Sequence, residues 1–204
     1  MATRGKRAAR RTRIGVLAVQ GDFIEHAAVL RQIGAEVVEV RLPSDLDQVK
    51  GLIVPGGEST TIARLVDIYG LREPMLKKVA EGMALWGTCA GMILMATSLN
   101  DDRPRPWGLL PIHVARNAFG RQVDSFEADL DVKAFRNGHL FRAVFIRAPV
   151  VTEVGEGVEV LARLVDGRPV AVQQGKLLAT AFHPELTTDT RFHSYFVSMA
   201  EGGD

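Results

Sequence analysis

A covalent hydrolase is built from a nucleophile, a base and a carboxylate, and Cys89, His183 and Glu185 supply those types here. Cys89 is the only cysteine of the chain. Alone, a single cysteine reads as a small buried hydrophobe. Its surroundings change that reading. An apolar stretch at 83–86 (MALW) leads into Gly87-Thr88-Cys89-Ala90-Gly91, and 92–97 (MILMAT) starts a helix. Strand, sharp turn and helix make a nucleophile elbow, where glycines two before and two after the nucleophile keep side chains from colliding. The thiol is then held above a strand end, with a helix N-terminus beneath it that favours the thiolate.

His183-Pro184-Glu185 follows a second apolar run at 177–182 (LLATAF). A thiolate needs a base that later returns the proton, and the base needs an orienter. His183 fits the first role and Glu185 the second, while Pro184 stiffens the link. Read alone, H-x-E is often a surface pair or half of a metal site. The only other histidine close in sequence is His193, on a helix whose face the pattern does not fix, so no metal is expected. Pro55-Gly56-Gly57-Glu58-Ser59 lies between a strand and a helix, where two glycines let backbone N–H groups approach a ligand. Its spacing matches neither common phosphate loop. It reads as half of an oxyanion hole, with the Gly57 and Ala90 N–H groups as donors, or as a plain tight turn.

These residues need a scaffold at the sheet edge. Residues 14–19 (IGVLAV) form a continuous apolar run, as in a buried parallel strand. Asp22 looks like an N-cap, followed by Phe23, Ala27, Leu30 and Ile33 at helical spacing, with Gly34 ending the helix. Strands follow at 36–41 and 51–54, and helices at about 59–69, closed by Gly70, and 73–81. The alternation predicts an α/β fold: a mostly parallel sheet with helices on both faces. Residues 108–182 instead offer short strand-like runs, with hairpin turns at Gly167-Arg168 and Gln174-Gly175. They read as antiparallel additions leading back to the sheet. A last helix is expected at 189–199, with Phe192, Tyr195, Phe196 and Met199 on one face.

The chain has 204 residues, 47% hydrophobic and 24% charged, which suits a single soluble globular domain at 14–200. One cysteine excludes a disulfide framework and a multi-cysteine metal site, and suits a reducing, cytoplasmic compartment. The net charge of +1 is uneven: residues 1–13 hold six Lys/Arg and no acid, leaving 19 basic against 24 acidic side chains elsewhere. A run such as RGKRAARRTR can bind an acidic surface. The reading preferred is a disordered, solvated extension, with no nucleic acid expected as partner. Its charges precede no apolar run of signal-peptide type, and no stretch of about 20 apolar residues suggests a membrane span.

PGGES, GTCAG and the late HPE, in this order, resemble the class I, triad-type glutamine amidotransferases, which have a flavodoxin-like fold. VQGDFIEH (19–26), PGGESTTI (55–62), GTCAGMI (87–93), RNAFGRQVDSFEADL (116–130), FIRAP (145–149) and AFHPELT (181–187) are similar to the glutaminase subunits of pyridoxal 5′-phosphate synthases. The likeness runs from about 14 to 199.

The resemblance implies that Cys89, His183 and Glu185 form the triad. Gly57, Glu58 and Ser59 would line the glutamine site, the first through its backbone, and Arg116, Ile146 and Arg147 would complete it. A guanidinium suits the α-carboxylate of glutamine, although from residue type alone either arginine reads as a surface ion pair. The turn at Gln20 and Gly21 is expected to rearrange when a partner docks and to complete the oxyanion hole. The implied partners are L-glutamine and a synthase subunit that receives ammonia. No cofactor is implied, pyridoxal phosphate being the joint product. Two other classes stay open: a different cysteine hydrolase of similar fold, such as a peptidase, and a non-catalytic regulatory subunit. The presence of all three triad residue types speaks against the second.

Overall fold

The computed structural model describes residues 12–116, 125–135 and 138–202. The basic extension therefore lies outside the described residues except for Thr12 and Arg13. So does the middle of the RNAFGRQVDSFEADL block.

In chain order the strands are β1 (Arg13–Leu17), β2 (Glu36–Val40), β3 (Gly51–Val54), β4 (Ala84–Thr88), β5 (Ala96–Leu99), β6 (Leu110–Ala115), β7 (Ser125–Leu130), β8 (Phe141–Ile146), β9 (Val150–Val154), β10 (Glu159–Arg163), β11 (Pro169–Gln174) and β12 (Leu177–Thr180). The α-helices are α1 (Phe23–Gln32), α2 (Ser59–Ile68), α3 (Arg72–Ala80), α4 (Ala90–Met95) and α5 (Arg191–Glu201).

Seven strands form the main sheet in the order β10-β11-β12-β4-β3-β1-β2. From β12 to β2 all pairings are parallel, and β10, β11 and β12 pair antiparallel. The β3 and β4 strands are buried along their whole length, as apolar runs in a parallel sheet require, with Thr88 closing β4. Alternation then sorts their side chains between two layers. Ile53 and Trp86 pack with Leu30 of α1 and with Phe192 and Phe196 of α5. Leu52, Val54 and Leu85 pack with Ile62 and Val66 of α2 and Met75 of α3. Helices thus cover both faces. A three-stranded sheet, β5-β6-β9, and the hairpin β7-β8 complete the fold.

Chain order reverses between β1 and β3, so a crevice opens beyond the carboxyl ends of the strands there. The loops after β1, β3, β4 and β12 all end on that edge. They carry Gln20, the glycine pair at 56–57, Cys89 and His183.

Some local expectations shift. The helix expected at 92–97 starts at Ala90 and stops at Met95, and the chain then enters β5. Thr97 donates its hydroxyl hydrogen to the Ile112 carbonyl at 3.1 Å, so pairing with β6 overrides a helical composition. That pairing is parallel, among additions expected to be antiparallel. Arg13, assigned to the extension, opens β1 and meets Glu36 at 2.7 Å. Asp22 occupies the N-cap position of α1, but its side chain makes no capping bond. The last helix begins at Arg191 rather than Asp189. The Asp189 carboxylate instead accepts from the Arg191 backbone N–H at 3.0 Å and from its guanidinium.

Candidate active site

The elbow is set by sterics. Cys89 stands between β4 and α4 at φ 47° and ψ −100°, a conformation that a non-glycine residue adopts only when its surroundings impose it. Its N–H donates to the Thr180 carbonyl of β12 at 2.8 Å. A Cβ on Gly87 would lie within 3.0 Å of the Gly91 backbone, and one on Gly91 within 3.0 Å of the Val54 carbonyl oxygen of β3. Both glycines are therefore required by close packing. Cys89 is 7% exposed, and its sulfur lies 3.9 Å from the Ile146 carbonyl oxygen.

His183 arrives from β12. The His183 N–H donates to Val144 of β8 at 2.8 Å, and the 3₁₀ turn Pro184–Leu186 folds Glu185 back beneath the imidazole. Nδ1 of His183 lies 2.7 Å from Oε1 of Glu185, with both side chains buried. This nitrogen is occupied, so the hydrogen bond of His183 with Cys89 falls to Nε2. Burial alone would lower the proton affinity of the imidazole. Hydrogen bonds with Asp22, Cys89 and Glu185 outweigh it and raise the His183 pKa. Burial raises the Glu185 pKa against the pull of His183. A Cβ on Gly56 would run into the imidazole, so the first glycine of PGGES is what lets His183 reach the site.

A cleft of about 250 Å³ opens over the sulfur. Gly57, Glu58, Ser59, Ala90, Arg116, Ile146 and Arg147 line it, together with Cys89 and His183. All six positions singled out for glutamine are thus brought together. Arg147 holds a positive φ of 42°. Arg116 is tied by 3.7 Å ion pairs to Glu58 and Asp101 and by a hydrogen bond to the Arg103 carbonyl. It therefore combines its two sequence readings, pocket wall and ion-pair partner. Ala90 opens α4, where first-turn N–H groups lack helical acceptors.

Gln20 and Gly21 flank the cleft. The Gln20 side-chain oxygen accepts from the Glu58 N–H at 2.9 Å, and the Asp22 N–H donates to the Gly56 carbonyl at 3.1 Å. A Cβ on Gly21 would collide with that carbonyl.

Three features escaped the sequence reading. The Asp22 carboxylate lies 3.4 Å from Nδ1 of His183. Asp22, His183 and Glu185 thereby place potential ligand atoms within 4.8 Å of one another, closer than the spacing of H-x-E suggested. Ile93 and Pro149 also line the cleft. His26 and His193 are fully buried behind His183 and Glu185, with ring nitrogens 2.9 Å apart. Their signal was present: His26 sits beside the apolar stripe of α1, and His193 follows the buried Phe192.

Residues 16–202 match the SNO glutamine amidotransferase family. The sequence is 56% identical over 191 residues to pyridoxal 5′-phosphate synthase subunit PdxT of Dehalococcoides mccartyi, covering 93% of this chain and 97% of that protein. It is 55% identical over 188 residues to the protein of the same name from Roseiflexus castenholzii, covering 91% and 99%. A crystal structure of a glutamine amidotransferase superposes with a TM-score of 0.86 at 53% identity, over 92% of this chain and 98% of that one. The structure of PurLQS from Thermotoga maritima superposes at 0.68 with 19% identity, over 95% of this chain and 97% of that one, a likeness of fold alone. By sequence, fold and the arrangement at Cys89, the chain belongs to the SNO glutamine amidotransferase family.

Proposed function

We propose that the chain is the glutaminase subunit of a pyridoxal 5′-phosphate synthase. It hydrolyses L-glutamine to L-glutamate and ammonia and passes the ammonia to a synthase subunit. The observation that carries the chemistry is the strained cysteine facing the buried His183–Glu185 pair across a cleft walled by Glu58, Arg116 and Arg147.

The Cys89 thiolate attacks the side-chain carbonyl carbon of glutamine, forming the S–C bond. The carbonyl electrons move onto oxygen, held by the Gly57 and Ala90 N–H groups. Protonated His183 gives its proton to the nitrogen, the C–N bond breaks and ammonia departs. His183 then takes a proton from water, whose oxygen attacks the thioester. The S–C bond breaks and glutamate leaves with the thiolate restored. Glu185 holds Nδ1–H throughout. A guanidinium at 116 or 147 suits the α-carboxylate of the substrate. The reducing cytoplasm, where Cys89 stays unoxidised, is the compartment this chemistry suits.

Free glutaminase activity would waste glutamine, so the synthase is the activator. The turn at Gln20 and Gly21 is where it acts. Because Gln20 and Asp22 bond the loop that carries Gly57, a shift of the turn moves an oxyanion donor.

Ammonia release is measured with the purified chain alone and with its synthase subunit. Release that rises strongly on adding the synthase, and that disappears in Cys89→Ala, is the expected result. Equal release with and without the synthase removes the gating, and release surviving in Cys89→Ala removes the thioester.

A further inference from the structure

Glu185 has two carboxylate oxygens, and the triad uses one. Oε1 holds Nδ1 of His183. Oε2 is also buried, where a carboxylate oxygen lacking a donor is costly. The group that meets it comes from α1: Nε2 of His26 lies 3.2 Å away. The same nitrogen is 3.1 Å from the hydroxyl of Thr88, the residue before the nucleophile. Its N–H points better at that hydroxyl, and Oε2 has no aligned bond of its own among the described residues. On the other side of the ring, Nδ1 lies 2.9 Å from Nε2 of His193 on α5. Both rings are fully buried and stand edge-on to Trp86, with centroids 5.7 and 5.0 Å from it. Neither ring has room to turn toward solvent.

The protons on this chain are constrained. Burial, reinforced for His26 by His193 and His183, keeps both rings neutral, and a neutral imidazole carries one N–H. For His26 to serve Glu185 and Thr88, its hydrogen must sit on Nε2, which makes Nδ1 an acceptor. His193 provides the matching donor from its Nε2. Its Nδ1 has no partner among the described residues, so it is left as a bare lone pair rather than a stranded N–H. His193 thereby selects the tautomer of His26. The other charged group facing His183 is Asp22.

We propose that His26, its ring oriented by His193, is a positioning residue: its Nε2–H, bonded to Thr88 and 3.2 Å from Oε2 of Glu185, presents the positive edge that keeps the carboxylate in place and Oε1 on Nδ1 of His183. This rests on the glutaminase reading. His26 does not line the glutamine cleft, so its removal acts on kcat and leaves KM for glutamine unchanged.

The test uses the full chain with its synthase subunit, rates being normalised to Cys89 titrated with a glutamine-analogue electrophile. His26→Asn keeps a polar group at the Nδ1 position but withdraws the Nε2–H edge that faces Glu185. It is expected to lower kcat by ~10–100-fold, the range seen when a partner orienting a functional side chain is lost. His26→Gln returns an N–H near the Nε2 position and recovers most of that loss. In a Glu185→Gln background, His26→Asn adds no further loss, because both act through one carboxylate. Wild-type kcat in His26→Asn, or losses that multiply in the double variant, overturn the proposal. Should His26→Asn not fold, His193→Phe removes the tautomer constraint from the far end, and an unchanged kcat there overturns it equally. A reading without turnover is the proton resonance of His183 Nδ1–H, expected to move in His26→Asn and to return in His26→Gln. If the wild-type complex releases no ammonia, the glutaminase reading fails, and an unmoved resonance alone then overturns the positioning role.

Discussion

The nucleophile and its base are held by different means. Cys89 is fixed by backbone contact: residues 87–91 turn the chain, Gly91 abuts the Val54 carbonyl of β3, and the Cys89 N–H bonds the Thr180 carbonyl of β12. The acid–base side is gathered from afar. Asp22 and His26 come from the first loop and helix, His183 and Glu185 from beyond β12, and His193 from the last helix. Its restraint is hydrogen bonding among buried polar groups. Steric restraint tolerates almost no change, whereas a buried polar chain yields in steps as each partner is weakened. On the proposed mechanism, the elbow decides whether the reaction exists, and the histidine side decides how fast it runs.

The largest effect comes from removing the sulfur. Cys89→Ala is expected to lower synthase-stimulated ammonia release by on the order of 10⁵-fold, to background. Glu185→Gln keeps the shape beside His183 but replaces the carboxylate with an amide, and is expected to cost on the order of 10³-fold in kcat with KM little changed. Steady-state kinetics of the complex check both. A Glu185→Gln loss as large as that of Cys89→Ala would erase the distinction between the two sides.

Next in size is damage to the elbow frame. Gly91→Ala drives a methyl group into the Val54 carbonyl of β3, a central strand that cannot retreat without loosening its pairing with β4. A loss of about 3 kcal/mol is expected from urea unfolding, in the range for forced overpacking. An unchanged midpoint would show that the turn has slack and that Cys89 is held by something other than contact.

The same division governs how far the site could be read from sequence. The elbow was legible because its glycine signature lies within five residues, and so were the central parallel strands β1 and β3, which fall in apolar runs. Thr97 was misplaced because its partner, Ile112, lies in another strand, and local composition favoured helix. Asp22 was read as a cap from its place before an amphipathic helix. What draws its carboxylate away is His183, at the far end of the chain. His26 and His193 looked like ordinary helix residues until α1 and α5 were packed on the same face of the sheet. Arg116 could be assigned to the cleft only by resemblance, since its ion pairs with Glu58 and Asp101 are what residue type alone suggests.

The last expected effect is a pH dependence of stability that arises on the histidine side. His26 and His193 are neutral when folded because burial lowers their pKa, that of His193 to about 3, while an unfolded histidine titrates near ~6.5. Below ~6.5 the unfolded chain takes up protons that the folded chain refuses. Stability therefore falls as pH drops from ~6.5, by at most ~1.4 kcal/mol per pH unit for each ring. His183 has the opposite sign. Its pKa is raised on folding, to about 12, so its contribution is fully present below ~6.5 and is lost as pH rises through the interval above. For these three rings, stability is greatest near pH ~6.5. His193→Gln keeps a donor toward His26 but no longer titrates. Urea unfolding across the acid range is expected to give a shallower loss for this variant, with the alkaline limb unchanged. An acid limb as steep as wild type would mean that the folded protein accepts the proton on His193, leaving nothing to fix the tautomer of His26.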